Sequence, residues 1–254
     1  MAAEDLLVAD SWLVLDGSVR SLGRHVSRFT RSCLDLGVVT PGELDRFWRE
    51  TISALPRTGA WFPRVELAGD PPALRLRLRP APERGDHVRV WVPDTPDHRL
   101  HPARKGPDLL ALGELRAEAE THDAQEALLR TADGIVVEAS SSSVLWWEDD
   151  VLCSPPEEIP ALPGTTAGLV RDLAAARGIR TEQRARRVDE LADREVWLLN
   201  ALHGIRLVTA LVGCDATPGD GRHFALWRER VERLRLPLDP HLSRTGQPEE
   251  PCEC

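Results

Sequence analysis

A single lysine, Lys105, stands in a chain of 254 residues that carries 32 Lys and Arg together. Arginine thus fills nearly every cationic role, and the exception raises the question of what arginine cannot do. A guanidinium stays protonated and is a poor nucleophile. An amine that is buried or crowded by charge can lose its proton and attack a carbonyl to form a Schiff base. The plainer reading is a surface lysine left by compositional bias. Further along, Glu138 closes the apolar run Ile135-Val136-Val137. A carboxylate there is partly buried and needs a cationic or protonated partner, although an ordinary salt bridge would satisfy the same pattern. Next, LPGTTAGLVRDL brings Gly164, Thr165 and Thr166 to the point where a loop enters a helix. Free backbone N–H groups, a positive dipole end and two hydroxyls suit a phosphate there, and a simple helix cap is the alternative.

One amine, one carboxylate and one phosphate cradle are the three needs of pyridoxal 5′-phosphate. The lysine holds the aldehyde carbon, the carboxylate keeps the ring nitrogen protonated, and the cradle anchors the phosphate.

The elements that must position these groups follow from periodicity and punctuation. Residues 6–15 read as a strand, Asp16-Gly17 as a turn, and 22–36 as a helix stopped by Gly37. Thr40-Pro41-Gly42-Glu43 has the form of a capping box, ahead of a helical stripe of Leu44, Phe47, Trp48, Ile52 and Leu55. Leu74, Leu76 and Leu78 alternate with Arg75, Arg77 and Arg79, which predicts a half-buried strand with one basic, solvated face. Another strand spans 87–92. Residues 1–92 are then a small α+β domain, 93–100 a linker, 101–236 a larger domain and 237–254 a loose tail. In the larger domain helices are expected over 108–122, 165–177 and 222–235. Strands are expected near 125–130, 134–139, 143–147, 150–153, 180–186, 195–199 and 205–212.

Bulk properties narrow the class. Formal net charge is −9, which disfavours non-specific nucleic-acid binding. The N-terminus lacks a basic start with a long apolar run, and no stretch is long and apolar enough to span a membrane. Five cysteines lie far apart and form no disulfide framework, so a reducing cytoplasm is the expected location. Cys252 and Cys254 form a Cys-Glu-Cys tail, too few thiols for a closed zinc site. Tyrosine is absent, so no phenol assists the chemistry.

In order and spacing, KGPDLLAL, DAQEALLRTADGIVVEASSSSVL, LPGTTAGLVRDLAAARGI and ELADREVWLLNALHGIRLV resemble the class IV aminotransferases, the fold-type IV pyridoxal-phosphate enzymes. These include branched-chain and D-amino-acid aminotransferases and aminodeoxychorismate lyase. DGSVRSLGRHVSRF is similar to the family's His-x-x-Arg helix. The resemblance implies a two-domain α+β fold: a small α/β N-terminal domain and a larger C-terminal domain with a β-barrel-like core flanked by helices. It implies that Lys105 bonds the cofactor and shuttles the proton, and that Glu138 pairs with the pyridinium nitrogen. Arg28, Thr165 and Thr166 would hold the phosphate, Thr165 through its backbone. Asn200 and Ala201 would form a loop near phosphate and substrate, with Ser11 and His203 as substrate contacts. Arg28 as a surface arginine, Asn200 as a turn residue and His203 as a structural histidine are the competing readings. His25 is expected to pack beside Arg28, and Ser140–Ser143 to fill a loop. A small amino-acid or keto-acid substrate and a homodimer are also implied. The chain departs from the family pattern at Leu109 and Leu110, where aminotransferases commonly place an aromatic residue, and at Ser143, where Asn is common. Transamination and elimination with release of pyruvate both stay open.

Overall fold

The computed structural model describes residues 5–238. In chain order the elements are β1 (Leu6–Ser11), β2 (Val14–Leu15), β3 (Ser18–Arg20), α1 (Leu22–Leu34), α2 (Pro41–Ala54), β4 (Ala60–Trp61), β5 (Arg64–Ala68), β6 (Ala73–Arg77) and β7 (His87–Trp91). They continue with α3 (Leu109–Thr121), β8 (Glu126–Arg130), β9 (Val136–Ala139), β10 (Ser143–Glu148), β11 (Val151–Ser154), α4 (Thr165–Ala175) and β12 (Thr181–Gln183). A short 3₁₀ turn at Asp189–Leu191 precedes β13 (Val196–Asn200), β14 (Gly204–Val212), α5 (Phe224–Glu232) and β15 (Arg235–Pro237).

The N-terminal part builds two small sheets around α1 and α2. One has the order β1-β5-β6, and the other β15-β3-β2-β4. The expected strand 6–15 is two strands, because Trp12 and Leu13 leave the ladder to enter the core, where both are buried. Trp12 packs against Trp48 at 5.6 Å between ring centres. The Thr40 hydroxyl accepts from Glu43 N–H, and the Glu43 carboxylate accepts from Thr40 N–H at 2.7 Å, so two otherwise orphaned donors start α2. Leu44, Trp48 and Ile52 recur on its buried face.

The remainder is an eight-stranded sheet of order β12-β11-β10-β13-β14-β7-β8-β9. Its period-two alternation fills both faces. Val144, Trp146 and Leu198 enter one core, and Leu145, Trp147, Trp197 and Leu199 enter another, to which α4 contributes Val170 and Leu173, and α5 Trp227 and Val231. The sheet curls until its edges approach. Ile135, just before β9, bridges Arg187, beyond β12, and Val136 N–H donates to Arg186 C=O at 2.9 Å. The expected barrel-like core with flanking helices is this sheet.

Three expectations change. The strand His87–Trp91, grouped by sequence with the first half, pairs between β14 and β8, because Val88 and Val90 complete the large core. The helix expected over 222–235 ends at Glu232, and Arg235–Pro237 turns back to pair with β3. Pro237 therefore ends a strand, and Leu238 is buried with its N–H donating to Gly17 C=O; residues 239–254, with Cys252 and Cys254, lie outside the described residues.

The two halves touch at a tight backbone crossing that sets the lysine loop. Ala9 N–H of β1 donates to Lys105 C=O at 2.7 Å. Gly106 has φ +153°, and a β-carbon there would sit 2.8 Å from Leu7 O and 2.9 Å from Val8 Cα. Gly106→Ala should therefore cost about 1–3 kcal/mol, seen as a lower midpoint in urea unfolding. A wild-type midpoint would show that this crossing is loose.

Candidate active site

The crossing presents Lys105 to a pocket of about 370 Å³ lined by β1, α1, the lysine loop, β9 with its following serines, the start of α4 and the turn after β13. Burial pushes the Lys105 amine below its ordinary pKa, and the nearby Arg28 charge adds to this. Asp10 and Glu138 act in the opposite sense. An amine so placed gives up its proton more readily than a surface lysine and gains nucleophilic character.

Glu138 is the third residue of β9, and the ladder with β8 turns it into the same pocket. It is 5% exposed. Its Oε1 accepts from Arg99 Nη1 at 2.5 Å and from Leu162 N–H at 3.0 Å. Burial raises its pKa, against the pull of Arg99.

Arg28 is buried rather than on the helix surface. Asp10 of β1, with no exposed surface, accepts from Arg28 Nε and Nη2 at 2.9 Å each and from His25 Nδ1 at 2.8 Å. Burial alone would raise the Asp10 pKa; Arg28 and the paired hydrogen bonds hold it well below the carboxylate range. Arg28 Nη1 donates to Pro163 C=O at 3.0 Å, leaving its other N–H groups to the pocket.

His25 does more than pack. Burial keeps it neutral, so with Nδ1–H given to Asp10, its Nε2 accepts from the Thr165 hydroxyl at 3.3 Å. That leaves Thr165 its backbone N–H for a ligand. Gly164 starts α4, and no side chain caps this helix end. A β-carbon at Gly164 would overlap the Ser143 hydroxyl, so the strand β10 and the helix start approach closely. Arg28, Thr165 and Thr166 line the pocket together, and the first-turn N–H groups with the Arg28 guanidinium could hold an anion there.

The serine run is not filler. Glu126, 1% exposed, accepts from the hydroxyls of Ser140, Ser141 and Ser142, from Ser141 N–H and from Arg206. Arg206 and these hydrogen bonds keep Glu126 ionised despite burial. Ser142 also accepts from Asn200 Nδ2 at 3.1 Å, while Asn200 Oδ1 accepts from Leu202 N–H and His203 N–H. Asn200 therefore closes the turn that presents Ala201. The turn's carbonyls are held by arginines: Ala201 by Arg20, Leu202 by Arg84, and His203 by Arg84 and Arg228. His203 Nδ1 accepts from Gly85 N–H, and burial together with Arg206 lowers its pKa to about 4, so the ring is neutral at pH 7.

Ser11 ends β1 at the pocket and accepts from Arg79 Nη2 at 3.4 Å. Arg79, expected on a solvated face, instead folds over the Phe62 ring at 5.6 Å and lines the pocket. All nine nominated residues (Ser11, Arg28, Lys105, Glu138, Thr165, Thr166, Asn200, Ala201 and His203) line one cavity. Sequence reading missed Asp10, Arg99, Glu126 and Arg206; for Arg79 a substrate-carboxylate contact is the lesser of two readings. Asp10 and Glu126 had a signal, a carboxylate inside an otherwise apolar strand; Arg99 had none. Among the described residues no group of His, Cys, Asp or Glu could hold a metal ion, and no helix is long and apolar enough to cross a membrane.

The family model described as amino-transferase class IV matches residues 7–211. No curated protein matches the chain. Among solved structures, a hypothetical aminotransferase from Mycobacterium tuberculosis in its PLP-bound form is 23% identical. The match covers 89% of this chain and 87% of that one, with a TM-score of 0.79. The branched-chain aminotransferase of Thermoproteus uzoniensis with norvaline is 20% identical over 91% and 90%, at a TM-score of 0.78. A Legionella pneumophila protein provisionally described as a 4-amino-4-deoxychorismate lyase is 16% identical over 89% and 90%, at 0.74.

Two measurements test this geometry. Because Lys105 is the only lysine, amine-directed labelling followed by peptide mass mapping should show its reactivity rising at a pH below the ordinary 10.5. A midpoint at or above that value would place the amine in water. Asp10→Asn should cost about 3–5 kcal/mol, since it strands a buried guanidinium. Asp10 is more acidic folded than unfolded, so its stabilisation is present above the unfolded carboxylate pKa and fades as pH falls below about 4. The variant should lose that part of the wild-type acid dependence.

Proposed function

This chain belongs to the class IV aminotransferases, and from that premise we propose that it is a pyridoxal-phosphate enzyme that moves an amino group between an amino acid and a 2-keto acid. The observation that carries the reading is the convergence of Lys105, Glu138, Arg28 and the uncapped start of α4 on one pocket. The donor set fits the cofactor: an amine made less basic by burial, a carboxylate with one oxygen free of protein partners, and an anion site.

When bound, pyridoxal phosphate supplies an aldehyde for covalent attachment and a ring that accepts electrons from substrate carbon. Arg28, the Thr165 and Thr166 N–H groups and the Thr166 hydroxyl bind the phosphate. Thr165 does so by backbone alone, because His25 takes its hydroxyl. Glu138 accepts from the protonated ring nitrogen. Lys105 would bond the aldehyde carbon, then serve as the base that takes the proton from substrate Cα and delivers it to the former aldehyde carbon, two atoms along. Ser11 and Arg79 receive the substrate carboxylate; the Arg79 guanidinium donates to Phe62 C=O and to the Ser11 hydroxyl at the pocket. Asn200 fixes the turn, and Ala201 and the neutral His203 border the substrate.

Elimination with release of pyruvate and an aromatic amine is the second reading. It is favoured by Leu109, which lines the pocket in a chain without tyrosine, and by the Ser11 hydroxyl. We also propose a homodimer. Leu100 and Leu110 flank the lysine loop at 82% and 68% exposure and are the apolar side chains that such an interface would cover.

Borohydride treatment after addition of pyridoxal phosphate should fix one cofactor mass on the Lys105 peptide, and Lys105→Ala should abolish it. Glu138→Ala should keep the adduct and lose most turnover. With an amino acid alone, a transaminase yields one keto acid per site and stops; a lyase given aminodeoxychorismate releases pyruvate turnover after turnover. No adduct in the wild type, or full activity in Lys105→Ala, refutes the assignment. Light scattering should give twice the 28.2 kDa chain mass.

A further inference from the structure

Arg99 lies on the segment between β7 and the lysine loop, and its guanidinium is committed on both sides. Nε and Nη2 donate to the Asp97 carboxylate, Nη2 at 2.7 Å and Nε at 3.0 and 3.1 Å, while Nη1 donates to Glu138 Oε1 at 2.5 Å. The Arg99 and Glu138 side chains are 7% and 6% exposed. Asp97 is itself anchored, its N–H donating to Arg130 C=O at 2.8 Å.

We propose that Arg99, clamped by Asp97, is a positioning residue for Glu138: it pins one carboxylate oxygen, keeps the group charged, and leaves the other oxygen to the pocket. The proposal rests on the reading of Glu138 as partner of the ring nitrogen. A carboxylate this buried prefers its neutral form, which would offer a proton where it must accept one. The groups facing Glu138 are Arg99, the Leu162 N–H and Lys105. On that reading Lys105 must give up its proton to bond the aldehyde, so it cannot supply a lasting countercharge. Arg99 can, because a guanidinium stays protonated. Two carboxylates and one guanidinium leave the triad one negative charge, which matches the single positive charge of a protonated ring nitrogen. Without Asp97 that sum would be zero and the pull on the ring proton would weaken.

The test begins on protein without added cofactor. Carboxyl NMR of glutamate-labelled chain, with Glu138→Gln to assign the resonance, gives the Glu138 midpoint. In Arg99→Gln it should rise by about one pH unit or more. Asp97→Asn keeps the guanidinium and removes a neighbouring negative charge; the midpoint should move down instead, and this variant serves if Arg99→Gln does not fold. With pyridoxal phosphate, Arg99→Gln should still give the Lys105 adduct but lose kcat about tenfold or more with little change in KM. Arg99→Lys, which keeps the charge, should recover part of that loss. An unmoved Glu138 midpoint, or wild-type kcat and pH profile in Arg99→Gln, overturns the proposal. A wild-type chain that forms no adduct overturns the functional reading instead, and the titration of cofactor-free protein still decides the role of Arg99.

Discussion

The Asp10 carboxylate and the Arg28 guanidinium form the joint on which the site depends. Neither charge could stay buried alone, since each would carry a desolvation penalty of several kcal/mol. Paired, they tie three distant segments: β1 supplies Asp10, α1 supplies Arg28 and His25, and the approach to α4 supplies the Pro163 carbonyl. One residue before Asp10, Ala9 holds the lysine loop through its N–H. The proposed phosphate site and the proposed covalent site are thus fixed to adjacent residues of one strand. Their separation is set by backbone geometry and not by flexible side chains.

A second buried ion pair supports the opposite wall. Glu126 and Arg206 sit on strands that the sheet order places on either side of β7. Both strands bury residues on each face, so charges there must be satisfied internally. The serine run does this: three hydroxyls and one N–H point back at Glu126. The turn from Glu138 into β10 becomes rigid as a result. Through Ser142 the rigidity passes to Asn200, whose side chain shapes the turn at Ala201.

Charge within the pocket runs against that of the chain. The molecule carries a formal −9, yet the cavity is lined by Arg28, Arg64, Arg79, Arg99, Arg104 and Lys105 with few carboxylates among them. Low-dielectric walls focus such a field, and it suits a phosphate and a substrate carboxylate together. Burial, with Arg206 beside it, holds His203 neutral, and burial together with the Arg28 charge makes Lys105 less basic. Arrangement, not net charge, prepares the site for an anionic ligand and a nucleophilic amine.

The sequence by itself determined the groups and most of the elements. A lone lysine among arginines, a glutamate ending an apolar strand and Gly-Thr-Thr before a helix are local signals, because reactivity, burial and helix entry each leave a mark within a few residues. The strand near 143–147 and the capping box at Thr40 were legible for the same reason. Only the tertiary structure decided how the charges pair. Arg28 looks like Arg24 or Arg31 in sequence, and only packing against β1 gives it Asp10. Arg79 reads as one of three alternating arginines, and its turn toward Ser11 depends on Phe62 lying beneath it. Arg99 looks like a linker residue until β9 brings Glu138 beside it. Likewise β7 joins the larger sheet because its two valines complete a core made by strands far along the chain. Pairing of buried charges is a long-range condition, set by which segments the fold brings together, and no local pattern encodes it.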